Sequence, residues 1–365
     1  MNKSKIPLRY KAISLFSCIG VAEYYLKDLG IDVVLASDID AKRCDVHRFF
    51  YPGTKVVCGD IRDDHTKKAI LESISNPIDI VISTPPCQGM SSVGKNRSYQ
   101  TLITKSDERN YLILESFKII DEVHPSYILF ENIPRVLKVV IPFNGKFLPI
   151  KEVLKEKYGD EYEIKIDIFN CADYGIPQNR ERCFIRLFKK GLRWNDPIKE
   201  PHIITLREAI GYLPSLEPGE SSNIKNHWAR IHPQSQIEWM RHTPSGCSAF
   251  DNDVFYPVKA DGERVKGYGN CYKRMVWDAP SPTVTMRNEI MSSQDKVHPG
   301  RPIGDGLWSD ARVLTPRELL TVMSLPPDLD LPTFVSDTAI RQYIGEGIPS
   351  MMVKKIMEGI CSKKN

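Results

Sequence analysis

The chain has 365 residues, of which 41% are hydrophobic and 26% charged; this length suits two domains, and this composition is typical of soluble globular enzymes. Its net charge of +4 is compatible with a nucleic-acid partner without indicating one. No apolar run is long enough to cross a bilayer, and no apolar signal segment follows the polar N-terminus. The nine cysteines form no CxxC pair and no regular framework, so we expect free thiols in a reducing, cytoplasmic location.

The first half of the chain alternates between strand-like and helix-like segments. Apolar, β-branched runs predict buried strands at residues 11–16, 31–36, 55–58, 78–82, 127–130, 162–169 and 183–188. Helical spacing of apolar residues predicts helices at 21–29, 41–50, 67–73 and 109–123. Strands that alternate with helices are typical of a parallel, doubly wound sheet, so we predict an α/β fold.

Two carboxylates follow successive strands. Asp38 comes after the second strand and Asp60 after the third. A carboxylate after the second strand is the usual group that binds ribose hydroxyls, although aspartate is also common in solvated turns. The turn that contains Gly20 lacks the GxGxxG pattern, so the sequence favours a nucleoside-bearing cofactor other than a dinucleotide.

Three further motifs carry candidate catalytic groups at strand ends. Cys87 follows an apolar run and two prolines, which would mount its thiol rigidly, whereas a lone cysteine is more often a buried hydrophobe. Glu131 follows the strand at 127–130, where a helix cap or a solvated side chain is the alternative. Arg180 and Arg182 form an Arg-x-Arg motif, which is more often a surface charge pair.

The character of the sequence changes after residue 190. Residues 193–310 are rich in Pro, Gly, His, Trp and Arg and have little periodicity, which predicts a second domain of short strands and long loops. Basic residues interleaved with aromatics suit contacts with phosphates and bases. Four histidines of this region lack metal-ligand spacing, so we expect them to be structural or polar-contact residues; they are His227, His232, His242 and His298. Thr315 is a predicted helix N-cap, and a last helix is predicted at 350–360.

Taken in order, these motifs resemble the cytosine-C5 DNA methyltransferases of bacterial restriction-modification systems. The resemblance rests on Leu15-Phe16, Gly20, Asp38, Gly59-Asp60-Ile61, Pro85-Pro86-Cys87-Gln88-Gly89, Glu131-Asn132-Ile133, Gln178-x-Arg180-x-Arg182, Arg312-x-Leu314-Thr315-Pro316-Arg317-Glu318 and Ile344-Gly345-Glu346-Gly347-Ile348-Pro349. It implies a Rossmann-like, S-adenosylmethionine-dependent methyltransferase domain and a smaller irregular, β-rich target-recognition domain. We expect the catalytic and cofactor-binding domain at 1–189 plus 336–365, facing a target-recognition domain at 190–335.

The resemblance also implies a mechanism and its catalytic residues. Cys87 would add to C6 of a cytosine flipped out of duplex DNA, which makes C5 nucleophilic toward the methyl group of S-adenosyl-L-methionine. Glu131 would protonate N3, and Arg182, with Arg180 in support, would stabilise charge at O2. The loop after Cys87 would close on the DNA backbone.

The remaining roles come from the same resemblance. The expected cofactor-binding residues are Phe16, Gly20, Asp38, Ile39, Asp60, Ile61, Pro85, Gly345 and Glu346. The expected DNA-contacting residues are Gln88, Ser91, Lys95, Arg97, Thr283 and Thr285. The sequence departs from the family at Cys18, where glycine is usual, and at Glu346, where asparagine is usual.

We expect duplex DNA as substrate, a monomeric enzyme, and a restriction endonuclease of the same system as a partner without a stable complex. Two alternatives stay open. One is a tRNA cytosine-C5 methyltransferase, since one branch of the family has that activity; the other is an inactive DNA-binding homologue, with Cys18 and Glu346 as signs of decay. A nicotinamide dehydrogenase is disfavoured because the glycine fingerprint is absent.

Overall fold

The computed structural model describes residues 8–75, 77–86, 108–267 and 269–361. The chain divides into two compact units. Unit 1 comprises Met1–Asn170, Glu181–Ile198 and Val353–Asn365, and unit 2 comprises Cys171–Arg180 and Lys199–Met352. The division into a catalytic and a target-recognition domain stays a prediction, because compactness does not say which residues bind which ligand.

Unit 1 is built on one mixed sheet with helices on it. Its described strands are β1 (Tyr10–Leu15), β2 (Ile31–Asp38), β3 (Lys55–Cys58), β4 (Ile80–Ser83), β5 (Tyr127–Asn132), β6 (Val140–Phe143), β7 (Lys146–Pro149), β8 (Tyr162–Asn170) and β9 (Glu181–Lys189). Its α-helices within the described ranges are α1 (Ala41–Phe50), α2 (Asp64–Glu72), α3 (Leu112–Val123) and α4 (Ile150–Tyr158), together with most of the last helix, Ser350–Cys361.

The strand order confirms the Rossmann-like α/β class. Among the described residues, seven strands form a sheet in the order β3-β2-β1-β4-β5-β9-β8, and β6 and β7 form a separate hairpin. The strands from β3 to β5 are parallel, whereas β9 runs antiparallel to both β5 and β8. The order reverses between β1 and β4, which is the place where open α/β sheets bind their ligands. The central strands are buried, as parallel strands covered on both faces are.

Three local features of unit 1 differ from the sequence-based expectations. The helix predicted at 21–29 is two 3-10 turns, Val21–Glu23 and Leu26–Leu29, because the Gly20 carbonyl bonds the amide of Glu23 and the hydroxyl of Tyr51 in place of an α-helical partner. Glu131 and Arg182 lie within strands rather than beside them. The pairing of β5 with β9 continues to Asn132, beyond Glu131, and Arg182 of β9 pairs with Phe169 of β8. The β6–β7 hairpin and α4 had no prediction.

Unit 2 is irregular, as expected. Its described elements are α5 (Leu206–Ile210), α6 (Gln234–Arg241), the hairpin β10 (Pro302–Gly304) and β11 (Leu307–Trp308), α7 (Pro316–Val322) and α8 (Asp337–Glu346), and the chain continues into α9 (Ser350–Cys361). The predicted start of α7 is confirmed: the Thr315 hydroxyl and the Glu318 carboxylate cap each other's backbone amides. Within the part of the chain that the structure describes, no helix is long and apolar enough to cross a membrane.

A buried ionic network organises the core of unit 2. The Arg312 guanidinium donates to Glu318 Oε2 and to Asp310 Oδ1, each at 2.8 Å, and all three side chains are buried. His298 packs beside this network, and burial lowers its pKa to about 3, so the ring is neutral. His227 places Nδ1 3.0 Å from Thr315 Oγ1. These contacts give both histidines structural roles.

Candidate active site

The turn that follows β1 is tightly constrained. Phe16, Cys18 and Gly20 all have left-handed backbone angles, with φ of 59°, 50° and 80°. The Cys18 amide donates to Asp38 Oδ2 at 2.9 Å, and the Asp40 amide donates to Asp38 Oδ1 at 3.0 Å. Asp38 therefore holds the turn from the end of β2, and each of its oxygens keeps a lone pair for a further donor.

The left-handed backbone conformation at Cys18 indicates how much stability is lost by having cysteine where glycine is usual. A residue with a Cβ loses roughly 1–2 kcal/mol in that region relative to the right-handed one. Gly20 is a stricter requirement, because a Cβ at this position would lie 2.3 Å from Cε2 of Tyr51. The turn thus tolerates a side chain at residue 18 but not at residue 20.

The surface next to Asp38 fits a nucleoside. Ile39, directly after β2, is 61% exposed, so its apolar side chain is open to a ligand such as a purine. Ile61 is buried. Asp60 accepts the Arg62 guanidinium at 2.5 Å, and this bond lowers the pKa of the Asp60 carboxyl. A ligand that uses Asp60 would have to share it with Arg62.

The chain after β4 is fixed by side-chain bonds. The Thr84 hydroxyl donates to the Phe16 carbonyl at 3.0 Å, and the Asn132 amide donates to the Pro85 carbonyl at 3.0 Å. The first bond ties this segment to the turn after β1, and the second ties it to the end of β5. The predicted nucleophile and four predicted DNA contacts lie outside the described residues: Cys87, Gln88, Ser91, Lys95 and Arg97.

Glu131 and Arg182 face each other on neighbouring strands. Arg182 Nε lies 3.0 Å from Glu131 Oε1. The Arg182 side chain is 13% exposed and the Glu131 side chain 14%. An acid and a guanidinium, both partly exposed, thus lie together near the carboxyl end of β5. The adjacent Cys183 is no competing nucleophile, because burial raises the pKa of its thiol to about 12.

In unit 2, Arg180 is part of the scaffold. It is 3% exposed, and its guanidinium donates to the carbonyls of Val284 at 2.5 Å and Gly347 at 2.8 Å. The Thr283 hydroxyl donates to the Asn179 carbonyl. A Cβ on Gly345 would lie 2.3 Å from the Thr285 carbonyl oxygen, so this glycine permits close packing. The predicted ligand roles of these residues, and of Glu346, stay predictions.

Sequence reasoning did not single out Lys296. Its Nζ donates to the Thr283 carbonyl at 2.5 Å, and burial lowers its pKa to about 7. No periodic pattern or motif surrounds this lysine, so nothing local distinguished it from a surface charge. It supports the same backbone segment as Arg180.

The family model for C-5 cytosine-specific DNA methylases matches residues 10–362. The type II methyltransferase M1.HgaI of Avibacterium volantium is 47% identical over 352 residues, which cover 96% of this chain and 98% of that protein. The type II methyltransferase M1.HphI of Haemophilus parahaemolyticus is 28% identical, with 95% of this chain and 86% of that protein covered.

Two solved structures share the fold. One is described as a prophage-encoded DNA modification methyltransferase from E. coli, with a TM-score of 0.69, 19% identity, and coverage of 96% of this chain and 98% of that one. The other is S. pombe Dnmt2, with a TM-score of 0.62, 16% identity, and coverage of 97% and 98%. Because the family model spans nearly the whole chain, this protein belongs to the C-5 cytosine-specific DNA methylase family and is a DNA (cytosine-5-)-methyltransferase.

Proposed function

We propose that this enzyme methylates C5 of a cytosine flipped out of a specific duplex DNA site, with S-adenosylmethionine as methyl donor and through a covalent adduct on Cys87. It would act as a monomer and as the modification enzyme of a type II restriction-modification system; its relative M1.HgaI is named a type II methyltransferase. The observation that carries the proposal is the Glu131–Arg182 pair at 3.0 Å. Glu131 lies on β5, which pairs with β4, the strand that leads to Cys87.

The chemistry requires a nucleophile because C5 of cytosine does not attack a methyl group unaided. The Cys87 thiolate forms an Sγ–C6 bond, and the C5–C6 π electrons move into the ring, so that C5 gains enamine character. Unstacking of the base must come first, since C6 is inaccessible within the duplex. The Asn132–Pro85 bond fixes the backbone two residues before the nucleophile.

Glu131 and Arg182 match the charge that addition creates. Negative charge develops toward N3 and O2, which are neighbouring atoms on one edge of the ring. The Glu131 carboxyl, in its protonated form, donates to N3, and Arg182 donates to O2. A carboxyl and a guanidinium 3.0 Å apart suit two such neighbouring acceptors. Once C5 carries the methyl group, a base takes the C5 proton, the Sγ–C6 bond breaks to release Cys87 as the thiolate, and N3 returns its proton to Glu131.

The residues around the β1 turn fit the cofactor. Asp38 has acceptor capacity for ribose hydroxyls, and Ile39 offers an exposed apolar face for the adenine. Phe16, Gly20, Asp60, Ile61 and Pro85 would complete this group of cofactor contacts. Gly345 and Glu346 are the remaining proposed cofactor residues. S-adenosylmethionine, when bound, supplies an electrophilic methyl group.

The decisive experiment measures transfer of labelled methyl from S-adenosylmethionine to duplex DNA and, in parallel, to bulk tRNA. Cys87→Ala should abolish the signal in DNA, whereas Cys247→Ala, which removes an exposed thiol of unit 2, should retain it. Label in tRNA alone would indicate that the enzyme is a tRNA cytosine-C5 methyltransferase. Cofactor binding without transfer to either substrate would support the inactive-homologue alternative.

A second experiment tests the covalent step. Duplex DNA that contains the enzyme's target with 5-fluorocytosine carries no removable C5 proton, so the Sγ–C6 bond should persist after methylation. We expect a denaturation-resistant protein–DNA complex that requires S-adenosylmethionine and Cys87. Methyl transfer to ordinary DNA without any such trapped complex would argue for a mechanism without the adduct.

A further inference from the structure

A buried acid–imidazole pair lies directly beneath the turn after β1. His47 Nε2, from α1, is 3.0 Å from Glu23 Oε2, and the two side chains are 0% and 1% exposed. Glu23 belongs to the first 3-10 turn and is three residues beyond Gly20. Neither residue takes part in the proposed chemistry, so the pair must have another role.

The same pair borders Gly20 together with Tyr51. The Tyr51 hydroxyl donates to the Gly20 carbonyl at 2.6 Å, and the rings of Tyr51 and His47 lie 4.8 Å apart. A Cβ built on Gly20 would approach His47 Nε2 to 3.1 Å. Glu23, His47 and Tyr51 thus form the floor on which the turn rests; we call them the turn floor.

The turn floor contributes less to the stability of the core than apolar side chains would. Glu23 Oε1 and His47 Nδ1 are buried and have no hydrogen-bond partner among the described residues. Buried polar atoms without a hydrogen-bond partner cost stability that apolar side chains of the same volume would not. Stability alone therefore does not account for this arrangement.

The turn above the floor needs external support. Phe16 and Cys18 hold left-handed conformations that disfavour residues with a Cβ. Such conformations persist only where surrounding contacts over-determine them. The Tyr51 hydroxyl meets this need directly, because its hydrogen bond fixes the position and orientation of the Gly20 carbonyl. The Glu23–His47 bond fixes the imidazole against which Gly20 packs.

We propose that Glu23, His47 and Tyr51 are positioning residues that hold the 16–20 turn in the shape that receives S-adenosylmethionine. This inference rests on the proposed function, in which the cofactor binds at this turn. The turn floor would act through the backbone of Gly20 and would not touch the cofactor. Its removal should weaken cofactor binding more than it weakens the fold.

The test measures the Kd for S-adenosylmethionine by calorimetry, and Tm, on the full chain. The double variant Glu23→Leu/His47→Leu should bind the cofactor about 10-fold more weakly or worse, with Tm close to wild type. Tyr51→Phe, which removes one hydroxyl, should shift Kd by about 3-fold or more. Glu23→Gln keeps an acceptor oxygen and should restore binding to within about 3-fold of wild type.

Val46→Ala serves as the matched control, because it opens a cavity at another fully buried position of α1. It should lower Tm without changing the Kd of the folded fraction. In turnover, the floor variants should raise the KM for S-adenosylmethionine and leave kcat at saturating cofactor and the KM for DNA within about 3-fold.

Wild-type Kd in both the double variant and Tyr51→Phe would overturn the inference and leave the proposed function intact. Should the double variant fail to fold, Tyr51→Phe alone decides. Failure of the wild-type chain to bind S-adenosylmethionine would overturn the proposed function, and this inference with it.

Discussion

The side-chain amide of Asn132 donates to the carbonyl oxygen of Pro85 at 3.0 Å, which joins the end of β5 to the segment that leads to Cys87. Its own amide oxygen accepts the Ile133 backbone amide at 2.9 Å, and this second bond fixes the orientation of the side chain. One residue therefore sets the distance between the strand of Glu131 and the approach to the proposed nucleophile.

Asn132→Leu should slow methyl transfer more than it weakens cofactor binding. The substitution removes the side-chain donor to the Pro85 carbonyl while roughly conserving volume, so the nucleophile loses its alignment with Glu131. We expect kcat to fall by about 10- to 100-fold, with the Kd for S-adenosylmethionine little changed. Asn223→Leu, at an exposed position of unit 2, is the control. An unchanged kcat in Asn132→Leu would show that the bond is structural only.

Glu131→Gln should nearly abolish catalysis without unfolding the protein. Glutamine can still bond Arg182 but cannot transfer a proton to N3, so kcat should drop by about 100-fold or more. Single-turnover methyl transfer measures this step. Glu163→Gln, at an exposed position on β8 of the same sheet, should be neutral. If Glu131→Gln retained full activity across the pH range, an acid at N3 would not be needed.

Gly20→Ala should destabilise the β1 turn and abolish cofactor binding. The new Cβ would meet the Tyr51 ring at 2.3 Å, and φ is +80°, so we expect a loss of about 1–3 kcal/mol in the free energy of unfolding. Chemical denaturation and calorimetry measure the two effects. Gly53→Ala is the matched control, because a Cβ at this position would have no neighbour within 4 Å. Tight cofactor binding by Gly20→Ala would place the ligand elsewhere.

Lys296→Met should change how stability depends on pH. Burial lowers the folded-state pKa of Lys296 from 10.5 to about 7, so between these values the unfolded chain binds more protons than the folded one. The contribution of Lys296 to the free energy of unfolding therefore rises as the pH increases from about 7 to 10.5. It is lowest below about pH 7, where the buried amine is charged in the folded protein. Lys296→Met removes this contribution and should flatten the rise.

The measurement for Lys296→Met is Tm from about pH 6 to about pH 10, which brackets most of that rise. At the acidic end the variant should be as stable as wild type or more so, because no buried charge remains. Lys266→Met, at an exposed position of unit 2, should leave the pH profile unchanged. Parallel profiles for wild type and Lys296→Met would mean that the amine titrates as it does in water.

The family and the α/β architecture were accessible from the sequence because they depend on local signals. Apolar runs that alternate with helical segments predict β1 to β5 in order. The residues from Thr315 to Glu318 predict a helix N-cap at Thr315, which the structure confirms. The motifs around Asp38, Glu131 and Arg182 likewise indicate a chemistry by residue type and order. None of these inferences requires knowledge of which strands are neighbours.

Tertiary structure alone decided the distances between these groups. Glu131 and Arg182 meet because β9 pairs antiparallel with β5 in a register that brings Asn132 opposite Cys183. A shift of that register by one residue would turn either side chain to the other face of the sheet. The buried Glu23–His47 pair and Lys296 depend in the same way on packing between distant segments. Burial and register arise from the whole chain, so no local pattern encodes them.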